Sequence, residues 1–293
     1  MNGGESWGVR KKREEATGVV PTPVRVAVGG AFGRMGQEAV ELVRATEHFR
    51  LVGTVDRRGR SLEGVPAFST VDELFSAVQP DVYIDFTSPE AVYKHARAAL
   101  EAGVRPVVGT TGLAREEIEE LAALARSKRL GAVIAPNFSL GAAVLRRAAA
   151  LAARFFPYVE IVEMHHDQKK DAPSGTALLL AEAVAEARGG EKAAAAAREA
   201  GAPRVSPPYS DLSARGVLAF GVPVHSVRLP GFVAHHELLF GGDGEWLTFR
   251  VDTVTRRAFM PGLRYAVERV LELEELVYGL DRLLERELLE GRG

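Results

Sequence analysis

Apolar positions in the first half of the chain fall into short β-rich runs separated by helical periodicity. Val24 to Val28, Arg50 to Val55, Asp81 to Phe86, Val107-Val108 and Val133-Ile134 read as strands, and the stretch running through Val40 and Val43 reads as a helix. Strand and helix alternate from Val24 to Phe138, which predicts a doubly wound α/β unit with a parallel sheet and helices on both faces. Boundary residues agree with this reading. Thr70-Val71-Asp72-Glu73 forms a capping box, and Ser88 caps a helix that has Pro89 in its first turn and Gly103 beyond its end.

The rhythm changes beyond Ser139. A helix, a strand over Val159 to Met164 and an Ala/Leu helix from Ala177 to Ala187 lead into an alanine-rich piece and a Pro/Ser/Gly-rich loop from Gly201 to Gly216. Val222 to Leu229, Phe232 to Phe240 and Glu245 to Thr253 read as strands, the last two joined by the turn Gly241-Gly242-Asp243-Gly244. This predicts a second, α+β domain with an antiparallel or mixed sheet. In its last strand Leu247, Phe249 and Val251 share one face, while Trp246, Thr248, Arg250 and Asp252 share the other, a face suited to subunit contact or to plain solvent exposure. Leu263 to Leu289 reads as one long amphipathic helical region packed on the protein's own sheet. Residues 1–22 lack periodicity and have no apolar core of a signal peptide, so they read as a disordered leader without an address.

Composition narrows the function classes. At 293 residues there is room for two cores, and a formal charge of −2 gives no basic field, so nucleic acid is not an expected partner. The absence of cysteine excludes disulfides, thiolate metal sites and cysteine nucleophiles and suits a reducing cytoplasm; no metal site is expected. No apolar run reaches membrane-spanning length.

Two stretches carry chemistry. The first strand runs into Gly30-Ala31-Phe32-Gly33-Arg34-Met35-Gly36 and then a helix. Glycines at such a turn let the backbone approach a pyrophosphate while the helix N-terminus faces the phosphates. The spacing differs from the common G-x-G-x-x-G, but the strand–turn–helix–strand setting supports a dinucleotide site. Asp56, at the end of the second strand and 20 residues beyond Gly36, suits ribose hydroxyls; Arg57 and Arg58 suit a 2′-phosphate, so NADH and NADPH both stay open. The loops Gly109-Thr110-Thr111-Gly112 and Ala135-Pro136-Asn137-Phe138 follow later strands and should border the nicotinamide half of the crevice.

The second stretch, His165-His166-Asp167-Gln168-Lys169-Lys170-Asp171-Ala172-Pro173-Ser174-Gly175-Thr176, places two imidazoles and an amine between a strand end and a helix start. Free amides at Ser174, Gly175 and Thr176 suit an anion, and histidine's ordinary pKa suits proton transfer near neutrality.

With these motifs, the chain resembles the dihydrodipicolinate reductase family, 4-hydroxy-tetrahydrodipicolinate reductase in current naming. The likeness runs from Val24 to about Leu280 and takes in His225 to Gly231 and Arg256 through Gly262. The resemblance implies a cytoplasmic, homotetrameric NAD(P)H-dependent oxidoreductase of diaminopimelate and lysine biosynthesis, acting on a small cyclic dicarboxylate. It implies that His165 is the general acid/base and Lys169 a second proton donor, with His166, Lys169, Ser174, Gly175 and Thr176 on the substrate. It also implies cofactor contacts from Gly30 to Gly36, Asp56, Arg57, Gly109, Thr110, Thr111, Ala135, Pro136, Asn137, Phe138 and, at the domain junction, Arg256. The expected nucleotide domain is discontinuous, 23–138 with 257–293, around a substrate and oligomerisation domain over 139–256. The leader is longer than the family needs, and Arg257 stands where a small residue is expected.

Overall fold

The computed structural model describes residues 22–190 and 215–289. The expected leader up to residue 21 and the alanine-rich and Pro/Ser/Gly-rich stretch 191–214 lie outside these residues.

Seven strands form one parallel sheet: β1 (Val24–Gly29), β2 (Phe49–Val55), β3 (Ala67–Phe68), β4 (Val82–Asp85), β5 (Arg105–Val108), β6 (Ala132–Ile134) and β12 (Leu276–Tyr278), in the spatial order β12-β6-β5-β4-β1-β2-β3. The helices α1 (Arg34–Ala45), α2 (Val71–Val78), α3 (Pro89–Glu101) and α4 (Arg115–Lys128) connect them. Central strands are covered on both faces, which is why they are near-continuous apolar runs: Val26, Ala27, Val28, Val82, Tyr83 and Ile84 are all fully buried. Each such Val or Ile contributes about 1.5–3 kcal/mol relative to an exposed one. Strand order reverses between β1 and β4, so the crevice beyond their C-terminal ends is where a ligand fits this topology. At the capping box, Thr70 Oγ1 accepts from the Glu73 amide, while the Glu73 carboxylate accepts from Ser69 rather than from Thr70. Ser88 occupies the N-cap of α3 without a side-chain capping bond.

The second sheet has the order β11-β10-β7-β9-β8, built from β7 (Tyr158–His165), β8 (Val217–Ala219), β9 (Val222–Arg228), β10 (Ala234–Gly241) and β11 (Trp246–Thr253). It is mixed, since β7 and β9 are parallel and the other pairs antiparallel. Helices α5 (Leu140–Ala152) and α6 (Gly175–Ala187) cover one face, against Val159, Ile161, Val224, Leu238 and Phe240. Leu247, Phe249 and Val251 pack toward that core, whereas Trp246, Thr248, Arg250 and Asp252 are exposed. Strand β8 was not legible as a strand; it pairs with β9 through the two-residue turn Phe220-Gly221, both at positive φ.

The expected continuous helical region from Leu263 to Leu289 is broken. Helix α7 (Met260–Val270) ends, β12 joins the parallel sheet beside β6, and α8 (Leu280–Leu289) starts after Gly279, whose φ is +97°. Leu276-Val277-Tyr278 is too short to disturb helical periodicity, and only the free edge of β6 turns it into a strand. Among the described residues, no helix is long and apolar enough to cross a membrane.

Candidate functional site

The pleat of β7 sets the site. Alternation along the strand buries Val159, Ile161, Glu163 and His165 on one face, toward α6. Glu163 is fully buried, and its carboxylate accepts from His165 Nδ1, from the Arg228 guanidinium through Nη1 (3.0 Å) and Nη2 (2.8 Å), and from the Ser174 amide (3.1 Å). Burial alone would raise its pKa, but the bonds from His165, Arg228 and Ser226 hold it well below the usual carboxylate range. With Nδ1 bound to Glu163, the free ring nitrogen of His165 is Nε2. Neither Glu163 nor Arg228 was singled out from the sequence. Glu163 stands two residues before His165 on a period-two strand, which is a readable signal; Arg228 lies opposite His165 only through the β7–β9 register.

His236 of β10 sits across the ring of His165, with centroids 5.4 Å apart, and its Nε2 is 3.2 Å from Ser174 Oγ. Burial, reinforced by the neighbouring His165, lowers its pKa to about 4. Ser174 is the N-cap of α6 and its hydroxyl accepts from the Ala177 amide. A Cβ on Gly175 would meet nothing within 4 Å, so the backbone at the helix start faces open space. Lys169 Nζ contacts both carboxylate oxygens of Asp171, at 2.8 and 2.7 Å.

A cleft of about 630 Å³ brings His165, Lys169, Ser174, Gly175 and Thr176 together with Thr110, Thr111 and Pro136. Tyr278 of β12, not anticipated from the sequence, lines it as well. Asn137 spans the two halves, its Nδ2 donating to Thr176 Oγ1 at 3.1 Å. Thr110 is held from beneath: its hydroxyl donates to Asp85 (2.7 Å), a fully buried carboxylate that also accepts from Thr87 and contacts His95 Nδ1 at 3.0 Å. His166 follows His165 out of the strand and is not among the residues lining this cleft. Ala135 and Phe138 are buried, Phe138 edge-on to Phe86 at 6.1 Å, so their side chains face the core. Arg256 begins a short 3₁₀ turn, Arg256–Phe259, where the chain passes from β11 to α7; Arg257 beside it is exposed, 3.7 Å from Glu38.

The glycine turn is closely packed. Gly30 has φ +71° and a Cβ there would lie 2.2 Å from the Phe86 carbonyl; a Cβ on Gly36 would lie 2.0 Å from the Gly30 carbonyl. Gly33 is the N-cap of α1 and gives its first amides no side-chain cap. At the end of β2, Asp56 is nearly buried and accepts from the Arg58 amide (2.8 Å) and from Arg60 through Nη2 (2.6 Å) and Nε (3.3 Å). The hydrogen bond from Arg60 is the main cause that lowers its pKa. Arg60 also lies over the Phe32 ring, 4.5 Å from its centroid. Arg57 is exposed.

Similarity to known proteins extends across nearly the whole described chain. Residues 24–138 match the family model described as dihydrodipicolinate reductase, N-terminus, and residues 141–284 match its C-terminus counterpart. A 4-hydroxy-tetrahydrodipicolinate reductase of Geobacillus kaustophilus is 49% identical over 272 residues, covering 89% of this chain and 99% of the relative. One from Streptococcus gordonii is 46% identical, with the same coverage of each. Among solved structures, a dipicolinate-bound dihydrodipicolinate reductase from Paenisporosarcina sp. TG-14 superposes with a TM-score of 0.78 at 40% identity, over 89% of this chain and 99% of that one. A myo-inositol 2-dehydrogenase of Lactobacillus plantarum, 14% identical with a TM-score of 0.58, shares the fold.

Proposed function

The chain belongs to the dihydrodipicolinate reductase family, and from that premise we propose how its own residues carry out the family's reaction. That reaction is the nicotinamide-dependent reduction of 4-hydroxy-tetrahydrodipicolinate, with loss of its hydroxyl as water, or of dihydrodipicolinate, to tetrahydrodipicolinate in diaminopimelate and lysine biosynthesis, and the protein is an oxidoreductase. The observation that carries the reading is the single cleft in which the loops after β5 and β6 meet His165, Lys169 and the start of α6.

The reduced nicotinamide supplies a hydride. Reduction of a conjugated imine leaves electron density on the neighbouring carbon, and in this reading His165 delivers the proton there from Nε2. Glu163, anchored by Arg228, holds the ring in that tautomer and offsets the positive charge it carries when protonated. Lys169, with the amides of Gly175 and Thr176, neutralises and orients a cyclic dicarboxylate, and Lys169 assists proton delivery; an incoming carboxylate takes over from Asp171 as its counter-ion. Ser174 and His166 are assigned to the substrate on the family likeness alone, and the Ser174 amide, expected free, instead donates to Glu163. Gly30 to Gly36 take the pyrophosphate, with Ala31, Phe32, Arg34 and Met35 as the turn's contacts; Asp56 takes the ribose. Gly109 to Thr111 and Ala135 to Phe138 surround the nicotinamide, the buried members through their backbone, and Arg256 closes the junction. NADH and NADPH are both accepted, with Arg57 reaching a 2′-phosphate and a preference below about 100-fold, some 2.7 kcal/mol. The nucleotide domain comprises 23–138 and 257–293 around a substrate domain over 139–256, and the enzyme works as a cytoplasmic homotetramer.

The test is steady-state kinetics followed by nicotinamide absorbance, with cofactor titration alongside. His165→Gln is expected to lower kcat by roughly 10²- to 10⁴-fold with a modest change in KM. Lys169→Ala is expected to lower kcat and also to weaken dipicolinate as an inhibitor, because a charge and a proton source are both lost. Cofactor affinity should survive in each. Near-wild-type turnover by a folded His165→Gln enzyme would remove this histidine from the chemistry.

A further inference from the structure

Asp56 is the acid expected to take the ribose hydroxyls, yet in the folded chain its carboxylate is already engaged. Arg60 reaches both oxygens, at 2.6 Å to Oδ2 and 3.3 Å to Oδ1, and the Arg58 amide takes a further bond to Oδ1. The same guanidinium lies over the ring of Phe32, inside the glycine turn. Arg60 therefore bridges the two segments that enclose the adenosine end of the crevice, while Arg57, nearer in sequence to Asp56, is exposed and lies close enough to Glu90 to help lower its pKa. The Asp56 side chain is only 7% exposed, that of Arg60 44%, so the pair consists of a fixed acid and a base with room to move.

We infer that Arg60 is the residue that decides between a free ribose and a 2′-phosphorylated one, by competing with the ribose for Asp56. This rests on the nucleotide reading above. A free 2′,3′-diol needs the Asp56 oxygens as acceptors, so binding it requires the Asp56–Arg60 contact to open. A 2′-phosphate would be repelled by a bare Asp56. With the contact closed, the acid is neutralised and the remaining guanidinium N–H groups are available to the phosphate, a group that a planar fork of donors matches better than a point charge does. The stack on Phe32 keeps the guanidinium beside the crevice in either state. One side chain thus favours the phosphorylated cofactor twice, by masking a repulsive charge and by supplying an attractive one, and its mobility lets the unphosphorylated cofactor in.

The experiment is calorimetric titration of the full chain with NADPH, NADH, 2′,5′-ADP and 5′-AMP, which reads binding without turnover. Arg60→Ala is expected to raise the ratio of the NADPH to the NADH dissociation constant by at least about tenfold, with weaker NADPH and unchanged or tighter NADH. The two short probes should shift in the same directions. Arg60→Lys, which keeps the charge but not the fork, should fall between wild type and Ala. Arg57→Ala should move the ratio less than Arg60→Ala does. Circular dichroism checks that each variant is folded. An unchanged ratio in Arg60→Ala, equal weakening of both dinucleotides, or a shift carried wholly by Arg57 would overturn the inference. If the wild-type protein bound neither dinucleotide, the cofactor reading itself would fall, a result distinct from these.

Discussion

Glu163 is a buried carboxylate whose neighbours fix its charge. Its anion accepts from His165, Arg228, Ser174 and Ser226, and removing Arg228 would take away its bidentate cationic partner, a loss of about 3–5 kcal/mol in comparable buried pairs. His236, one strand away, makes the opposite choice and stays neutral. Its pKa is lowered from 6.5 to about 4 by burial, so the folded state resists a proton that the unfolded chain accepts. The stability this represents is complete above pH 6.5 and is lost as the pH falls from 6.5 toward 4, in total about 3 kcal/mol. Urea titrations at pH 7 and pH 4.5 should show this fall in wild type and a smaller one in His236→Gln, which places an amide near Ser174 without a titrating ring. Equal falls in the two proteins would show that another group carries the acid sensitivity.

At the scale of elements, the glycine turn and α1 act as one unit. Gly36 lies against the Gly30 carbonyl so closely that even a methyl group would stand 2.0 Å from it, and backbone cannot swing aside as a flexible side chain can. Gly36→Ala should therefore displace α1 from the turn and weaken NADH and NADPH alike by at least about tenfold, roughly 1.4 kcal/mol, measured by fluorescence titration. Preserved affinity would mean that the amides of α1 do not hold the phosphates. The strand–glycine–helix succession was readable because each segment carries a local signal: β-branched residues, a turn requiring positive φ, then apolar spacing near 3.6. The break between α7 and α8 carried one local signal, Gly279 at positive φ, set in an otherwise apolar pattern. Leu271 and Leu273 pack on the core beyond the end of α7 and continue an apolar pattern that the backbone has left.

For the whole molecule, the face of the second sheet away from α5 and α6 is open among the described residues. Trp246 is 79% exposed and Leu239, Val227 and Tyr158 are also open, interleaved with Glu237, Arg250 and Asp252. An exposed tryptophan within an interleaved polar and apolar face fits self-association. Light scattering at micromolar concentration should give a tetramer, and Trp246→Glu should lower the mass. A wild-type monomer would contradict the assembly. The same scale explains Tyr278 in the cleft: the chain returns from the second sheet to add β12 to the first, so a residue near the C-terminus stands beside loops from the middle of the chain.

By itself, the sequence determined what local physics encodes. Buried parallel strands appear as apolar runs, the close approach at Gly30 and Gly36 appears as glycine, and the dense His165–Thr176 stretch sits at a strand end and a helix start because its flanks carry those periodicities. Tertiary structure decided what depends on register and on neighbours distant in the chain. The β7–β9 pairing brings Arg228 to Glu163 and so orients His165, the edge of β6 makes a strand of Leu276–Tyr278, and the fold of the β2 loop puts Arg60, not Arg57, on Asp56. The Arg228–Glu163 and β12–β6 contacts join residues far apart in the chain, and even Asp56 and Arg60, four residues apart, meet only through the path of their loop, because a hydrogen-bond partner is chosen by position in space.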